Sequence, residues 1–499
     1  MLYFWANHSI TMEQQVETQT QCFTIRTILS ELSKNLTKFK DCKISVSGWI
    51  RTIRVQSAML AFVKLYDGSC QEELQIVFHT DNQSEKDNFK DLFSKGTTGV
   101  SLQVYGKIVP SPAKGQLVEL VADSVKILGE VNPDEYPIAK TKLSLEHLRK
   151  YQHLRARTST FQAVFRIRSA LTHATYQFFG EEKNFTYVEM PQITTSECEG
   201  GGEQLYLTSL LKDEKEVKID YTKDYFQKKV FLTVSGQLHL EAFACSMGNV
   251  YTNTLATRGE KSRTNKHLSQ FNMIEWEMPF CTLKDNMQLA EDYIKYCIKY
   301  ILDNCPIELE TLSKFHTEDL LSILKKYLAG PFIKTTHREA VERMLLDQKE
   351  GKVKFEKTPA FDQDVSSEHE KYIVDIIHGG KPVFLQFFPE CVKSFYMPQI
   401  EKGNDSLDRV DCYDLLVPGI GEIIGGSQRI SDYSILLSKM KKLSMNIEPL
   451  EWYLDLRKFG TVPHGGAGLG FERLVRLCTG IENIRDVVPF PRAYQECEF

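Results

Sequence analysis

The sequence predicts an α+β protein in two parts: a small five-stranded β-barrel, then a larger domain of helices around an antiparallel sheet. Three observations carry that prediction. Between Lys43 and Leu128, apolar and polar residues alternate with period two in five short bursts, with one helical segment between the third and the fourth. A break with two prolines, Pro133 and Pro137 in NPDEYPIAK, follows. Beyond it, strand-like stretches alternate with helical ones to the end of the chain.

Taken in order, the bursts are ISVSGWIRTIR, LAFVKLYD, LQIVF, VSLQVYGKIV and LVELVADSVKIL, separated by turn residues such as Asp67-Gly68-Ser69 and Ser111-Pro112. The helical segment is SEKDNFKDLFSKG. Five strands with a helix in that place is the order of an OB-fold, whose second and third strands face single-stranded nucleic acid. On that face stand Phe62, able to stack on a base, and Gln75, able to read a base edge; a core Phe and a solvated Gln are the plain alternative. The expected divisions are an extension over 1–40, the barrel over 41–130, a linker over 131–158 and the larger domain over 159–499.

The larger domain opens on TFQAVFRIRSALTHATYQFF, where Phe161, Val164, Phe165, Leu171 and Phe178 recur at helical spacing, and continues into the extended FTYVEMPQI. Strand-like segments follow: FLTVSGQ, QFNMIEWEM, PVFLQFF, VDCYDLLV and GEIIGG. From Asp285 to about Ser367 the pattern is helical, with Ile294, Cys297, Ile298 and Ile301 on one face, and predicts a helical insertion.

Composition narrows the functional classes. At 499 residues, 42% hydrophobic and 25% charged, the chain is globular and long enough for two or three domains. No apolar run approaches the roughly 20 residues of a membrane span. The opening MLYFWANHSI lacks a basic leader, and Glu13 and Glu17 argue against a transit peptide, so the cytoplasm is expected, with an organelle as the alternative. Twelve cysteines without a Cys-x-x-Cys pair read as reduced thiols. With a net charge of -5, a polyanion must be gripped locally. Lys140, Lys142, Arg149, Lys150, Arg155 and Arg157 form one such basic stretch, which a merely solvated face would also explain.

Four clusters place chemistry in or beside the strands. In TRGEKSRTNKHLSQF, Arg258 and Glu260 precede a loop with Lys261, Arg263, Lys266 and His267, a concentration of cations suited to a polyphosphate. In YDLLVPGIGEIIGGSQR, Asp414 and Glu422 are carboxylates on apolar strands, the donor type that holds Mg²⁺, or else a structural ion pair. Gly425 and Gly426 leave room there, and Arg429 aims a planar fork into the same space. HGGAGLGFERLVRL reads as a glycine-rich turn opening a helix that carries Arg473. In SECEGGGE and SGQLHLE, Glu199 and Gln237 suit an ammonium group, and Glu241 suits an amide donor. Together these suit activation of an amino acid by ATP.

These stretches resemble the class II aminoacyl-tRNA synthetases and, among them, the branch specific for asparagine. GWIRTIR, YDGSC, HLRART, EGGGE, LTVSGQLHLEA, KSFYM, PGIGEIIGGSQR, WYLDLRKFGTVPHGG and GFERLVRLCTGIENIRDVVPFPR follow the family's order from about Ile44 to Phe499. The resemblance implies ATP and Mg²⁺, L-asparagine and tRNA(Asn) as substrates, and a homodimer formed through the helix before Pro191. It implies that Arg258 bridges the substrate carboxylate and the α-phosphate, with Glu260 near the adenine, His267 by the γ-phosphate and Phe271 stacked on the base. It further implies Asp414 and Glu422 as Mg²⁺ ligands, Arg473 against the adenine and γ-phosphate, and Phe62 and Gln75 at the anticodon.

Aspartate enzymes of this kind carry a lysine three residues after the glutamine. This chain has Leu240 there, so a second carboxylate meets no cation, while Glu241 and Arg429 suit an amide. Thr257 and Gly259 around Arg258, and Ala467 in the glycine run, depart from the family's residues and predict a looser Arg258.

Overall fold

A computed structural model of the chain describes residues 21–35, 38–39, 42–80, 83–113, 115–138, 143–196, 204–208, 220–400 and 407–498. It divides into two compact units, 1–162 and 163–499. The division falls four residues beyond the expected one, inside a helix.

The first unit is the barrel. Helix α1 (Ile25–Lys34) is capped by Thr24, whose hydroxyl accepts from the amide of Thr27, and it buries Ile25, Ile28 and Leu32 in the barrel core. The strands are β1 (Lys43–Ser57), β2 (Leu60–Tyr66), β3 (Leu74–His79), β4 (Ser101–Pro110) and β5 (Val118–Gly129), with α2 (Gln83–Lys95) between the third and fourth as expected. They pair in the order β1-β2-β3-β5-β4, and β4 pairs back onto β1, closing the sheet. Alternation then sorts the side chains: Val46, Ile50, Val63, Leu65, Ile76, Phe78, Val104 and Leu120 fill the interior. In the stretch that follows, Arg155 is fully buried with its guanidinium 4.5 Å from the Phe161 ring, so the basic run is not one solvated face. Lys140 and Lys142 lie outside the described residues.

The second unit is built on a sheet of eight strands. From one edge they are β6 (Thr186–Tyr187), β10 (Val250–Thr257), β11 (Gln270–Pro279), β16 (His464–Gly470), β15 (Gly421–Gln428), β14 (Cys412–Val417), β13 (Val383–Gln386) and β12 (Ile333–Thr336). Only the two outermost pairings are parallel. In the chain between β6 and β10 come the strands of a separate sheet, β7 (Ile193–Thr194), β8 (Tyr206–Leu207) and β9 (Val230–Leu232), with β9 central.

Helix α3 (Ser159–Tyr176) turns Phe161, Val164 and Leu171 inward, as its spacing predicts. Its Arg168 reaches Glu472 at 2.7 Å on the helix Phe471–Thr479. Helix α4 (Gln237–Met247) and helix α5 (Leu283–Asn304) both pack on the sheet.

The stretch after Asp285 is largely helical, as expected, and is tied into the sheet: α5 backs it, and the segment contributes its edge strand, β12. On α5, Asn286 donates to the carbonyl of Gly466 at 2.8 Å and accepts from the Trp276 indole at 2.9 Å, which ties the helix to β16 and β11. One expectation about this unit is corrected: HGGAGLG is not a turn but a central strand, β16, because Ala467 and Leu469 alternate with the glycines and point into the core. No helix among the described residues is long and apolar enough to cross a membrane, and every described cysteine is a free thiol.

Candidate active site

Strand register assembles the site. Residues directly opposite one another share a face, and one such row reads Glu275, Gly468, Gly425, Asp414 across β11, β16, β15 and β14. The next row reads Glu277, Gly466, Ser427, Cys412. The opposite face carries Trp276, Ala467, Gly426 and Tyr413 against the helices. One face of the sheet therefore has a lane of bare backbone along Gly466, Gly468 and Gly470, bordered by carboxylates. From Gly466 to Gly470 it runs about 13 Å, four residues at roughly 3.3 Å each.

At the Gly470 end lies a cleft of about 310 Å³, lined among others by Arg258, Glu260, His267, Phe271, Glu422 and Arg473. The five residues expected around ATP, and Glu422, expected to hold Mg²⁺, are brought together. Arg258 sits with its guanidinium 5.5 Å from the Phe271 ring and 3.9 Å from the Met273 sulfur. Burial and the adjacent Arg473 hold the His267 imidazole below its usual pKa. Arg473 donates to the backbone carbonyl and the carboxylate of Glu422. Burial alone would raise the Glu422 carboxyl, but Arg473, Lys393 and Arg258 outweigh it. The cation-rich loop is strapped by the C-terminal segment: Arg485 donates to the Thr264 carbonyl at 2.9 Å, and Ile484 to that of Asn265.

Asp414 and Glu422 fit a divalent cation. A Cβ placed on Gly425 would meet Glu422 Oε1 at 3.1 Å and Asp414 Oδ1 at 3.7 Å, so both carboxylates turn toward one small space that the glycine leaves open. Burial and the nearby Glu422 charge push Asp414 up to about 7 despite Lys393, whose Nζ is 2.7 Å from Asp414 Oδ2. Burial and the same Glu422 raise Glu370 to about 7, on the short helix Ser367–Tyr372. Gly426 faces the Tyr413 ring instead, so of the two glycines only Gly425 opens onto the lane.

At the Gly466 end Gln237, Glu241 and Arg429, three of the four residues expected around the amino acid, gather. Gln237 opens α4 instead of ending a strand, because the turn before it is pinned by a buried acid: Glu275 accepts from the Ser235 hydroxyl and from the Gly236 amide at 2.9 Å. Gln237 then donates to Glu241 at 3.1 Å. Glu241 is fully buried and its oxygens are occupied. They accept from Tyr453 at 2.8 Å, Arg457 at 2.7 Å and the His464 ring at 3.0 Å. Gln237, Tyr453, Arg457 and His464 thus surround the carboxylate in which a substrate amide is expected to find its acceptor. Burial alone would raise the Glu241 carboxyl, yet Arg457, His464 and Arg429 hold it well below the ordinary range.

Arg429 is likewise engaged: it makes a fork with Glu277 at 2.8 and 3.0 Å and donates to Ser427 at 2.8 Å. Leu240 packs with Met190, Ala244 and Val250. Glu199 lies outside the described residues.

In the barrel, Phe62 and Gln75 both point outward, in adjacent rows. Arg54 lies opposite Phe62, and Lys64 opposite Gln75, which adds two cations to that face. The Gln75 amide donates to Glu119 at 3.2 Å.

Reading the sequence did not single out Glu275, Glu277, Glu370, Lys393, Tyr453, Arg457 or His464. For Glu275 and Glu277 a signal existed: two acids at period two inside the apolar strand FNMIEWEM.

Comparison with known proteins identifies the family of both parts of the chain. Residues 44–128 match the OB-fold nucleic acid binding domain, and residues 144–494 match the tRNA synthetases class II (D, K and N). The chain is 43% identical over 472 residues to the asparagine–tRNA ligase of Treponema denticola, covering 92% of this chain and 97% of that one. To the enzyme of that name from Cytophaga hutchinsonii it is 42% identical, with 94% and 99% covered. Its fold is similar to the asparaginyl-tRNA synthetase of Pyrococcus horikoshii complexed with asparaginyl-adenylate, with a TM-score of 0.78, 28% identity and coverage of 92% and 96%. The Entamoeba histolytica asparaginyl-tRNA synthetase in complex with asparaginyl-adenylate gives 0.76, 26%, 96% and 99%. The sheet with its glycine lane and the closed barrel before it thus belong to one lineage, and the chain is a member of the class II tRNA synthetases of the D, K and N group.

Proposed function

We propose that the chain is an asparagine–tRNA ligase, which activates L-asparagine with ATP and transfers it to tRNA(Asn). The observation that carries this is the two-ended lane: cations, an aromatic ring and a pair of acids at one end, and Gln237 with the Arg429–Glu277 fork at the other. In the first step an oxygen of the asparagine carboxylate bonds to the α-phosphorus of ATP and the bond to the β-phosphate oxygen breaks, releasing pyrophosphate. Arg258 carries charge against the carboxylate and the α-phosphate, with Phe271 and Arg473 on the two faces of the adenine and Glu260 beside it. His267, neutral and partly buried, donates toward the γ-phosphate. Catalysis of this kind is positioning and electrostatics, and no side chain becomes a nucleophile. Asp414 and Glu422 would hold Mg²⁺, which supplies charge compensation for the phosphates when bound. In the second step the 3′-hydroxyl of the terminal ribose attacks the carbonyl carbon of the adenylate, and AMP leaves.

Charge balance supports asparagine over aspartate. At the Gly466 end, Arg429 is matched by Glu277 and Arg457 by Glu241, so no spare cation stands among the described groups to neutralise a second carboxylate. A neutral amide enters without upsetting that balance, with Glu199 and Gln237 left for the α-ammonium group. Arg429, held rigid by Glu277, is the donor proposed for the side-chain oxygen.

Phe62 and Gln75 are proposed to meet the anticodon, and α3 to form a homodimer in the cytoplasm. Asparagine-dependent exchange of pyrophosphate into ATP, followed by charging of a tRNA(Asn) transcript, tests the activity; pure protein that exchanges nothing at saturating substrate would overturn it. Light scattering that returns the 57.4 kDa of a single chain, and not twice that mass, would overturn the dimer.

A further inference from the structure

The stretch Lys393–Met397, KSFYM, lines no part of the ATP cleft, yet its side chains meet both ends of the glycine lane. Lys393 Nζ lies 2.7 Å from Asp414 Oδ2. Three residues on, the Tyr396 ring centroid lies 5.0 Å from the Arg429 guanidinium, and the Tyr396 carbonyl accepts from the amide of Ile430 at 2.8 Å. Between them Phe395 is buried, its ring 6.2 Å from that of Tyr453, which donates to Glu241. Lys439, on the helix Tyr433–Lys442, ties the stretch from outside: it pairs with Glu390 at 2.9 Å and donates to the Met397 carbonyl at 2.8 Å. The Lys393 ammonium therefore grows from a fixed root.

An ammonium in this place is costly unless it is paired. The Lys393 side chain is only 14% exposed, and its Nζ stands 3.8 Å from the Phe388 ring centroid, so a ring face and Asp414 replace much of its water. Because Lys393 is not among the residues lining the cleft, its contact with the site runs through Asp414.

What Asp414 needs follows from charge. Its Oδ1 and Glu422 Oε1 turn toward the same space beside Gly425, and two carboxylates so placed repel each other until a cation arrives. A carboxylate free to rotate would swing away. Lys393 holds the other oxygen, Oδ2, and leaves Oδ1 directed at the space, so the ordering is done before the cation binds.

We propose that Lys393 is a positioning residue for the cation site: by fixing Oδ2 it presents Oδ1 of Asp414, together with Glu422, to a divalent cation. The identity of that cation as Mg²⁺ rests on the ligase reading. Full-length Lys393→Met, Lys393→Arg and Lys439→Met are compared with the unaltered protein in two measurements. One is calorimetric titration of Mg²⁺ without substrates, and the other is the Mg²⁺ dependence of asparagine-dependent pyrophosphate exchange. Lys393→Met keeps the length and removes the charge. Expected for it are a Kd for Mg²⁺ and a half-saturating Mg²⁺ concentration both raised about tenfold, with the rate at saturating Mg²⁺ and the KM for asparagine within about twofold. Lys393→Arg, which keeps the cation, stays within about threefold in Kd. Lys439→Met loosens the same stretch without touching Asp414 and leaves the Kd unchanged. An ammonium that merely competed with the metal would give the opposite sign, so tighter Mg²⁺ binding by Lys393→Met overturns the proposal. An unchanged Kd, equal weakening in Lys439→Met, or a loss of rate that saturating Mg²⁺ does not restore overturns it as well. Should Lys393→Met fail to fold, Lys393→Gln, neutral but able to donate, is held to the same criteria. Unaltered protein that binds Mg²⁺ but exchanges nothing ends the ligase reading, and the calorimetric comparison still decides the role of Lys393.

Discussion

Glu241 illustrates how a buried charge acts through its partners. With Tyr453, Arg457 and His464 all directed at it, the carboxylate neutralises a guanidinium that is itself fully buried. Glu241→Gln leaves Arg457 without a counter-ion, a loss of about 3–5 kcal/mol for a broken buried pair. A melting curve checks this, and a variant as stable as the parent would show that Arg457 finds another partner. Because the same network supports Gln237 and adjoins Arg429, discrimination against aspartate erodes as well, read as the ratio of exchange rates with the two amino acids.

Asp414 and Glu370 carry a pH signature. Both are raised to about 7 in the folded chain, above their ordinary values of 3.8 and 4.5. Their contribution to stability is therefore fully present below about pH 4 and is lost as pH rises through 7. With Asp414 as the proposed Mg²⁺ ligand, protons compete with the cation, and Mg²⁺ affinity is expected to climb with pH up to about 7 and then level, changing about tenfold per unit below it for one proton released. Titrating Mg²⁺ by calorimetry at pH 6, 7 and 8 checks the slope; equal affinity at all three would remove Asp414 as a ligand.

At the scale of elements, the barrel and the lane differ in how openly the sequence declares them. Period-two alternation is local, so the five strands and their helix were legible, and so was the outward placing of Phe62 and Gln75. Phe62→Ala accordingly lowers tRNA charging by about tenfold while sparing pyrophosphate exchange, since stacking on one base is worth roughly 1–3 kcal/mol; equal loss in both assays would make Phe62 a packing residue. The glycine run was misread as a turn because glycine carries no periodicity of its own. Only its neighbours Ala467 and Leu469, with Trp276 and Ile424 opposite them, reveal a strand. Likewise, no spacing in the sequence joins Glu241 to Tyr453, Arg457 and His464, more than 200 positions away. Pairings of that length are set by the order of strands in the sheet.

For the molecule as a whole, two units with separate cores predict two unfolding events. The interior of the barrel is assembled from residues 25–122 alone, and the sheet of the second unit draws on residues 186–470. Scanning calorimetry is expected to give a calorimetric enthalpy larger than the van't Hoff value, and saturating ATP with asparagine to raise only the transition of the second unit. A single two-state transition, moved as one by the ligands, would show that the units unfold together.

The glycine lane also bears on which inherited changes this chain can survive. A methyl group at Gly466 would lie 1.8 Å from Glu277 Oε2 and 2.1 Å from the Trp276 carbonyl, and backbone cannot step aside. At Gly468 the nearest obstacle is the flexible Met273 methyl, at 2.9 Å, and at Gly470 there is only ordinary contact with Arg473 at 3.7 Å. Every single-base change in a glycine codon that alters the residue adds side-chain atoms, so tolerance is graded along one strand. Variants at Gly466 fail at folding, those at Gly468 trade on the give of a methionine, and those at Gly470 keep the fold and are expected to be felt at the proposed nucleotide site. Within five residues the strand passes from positions constrained by architecture to one constrained by chemistry.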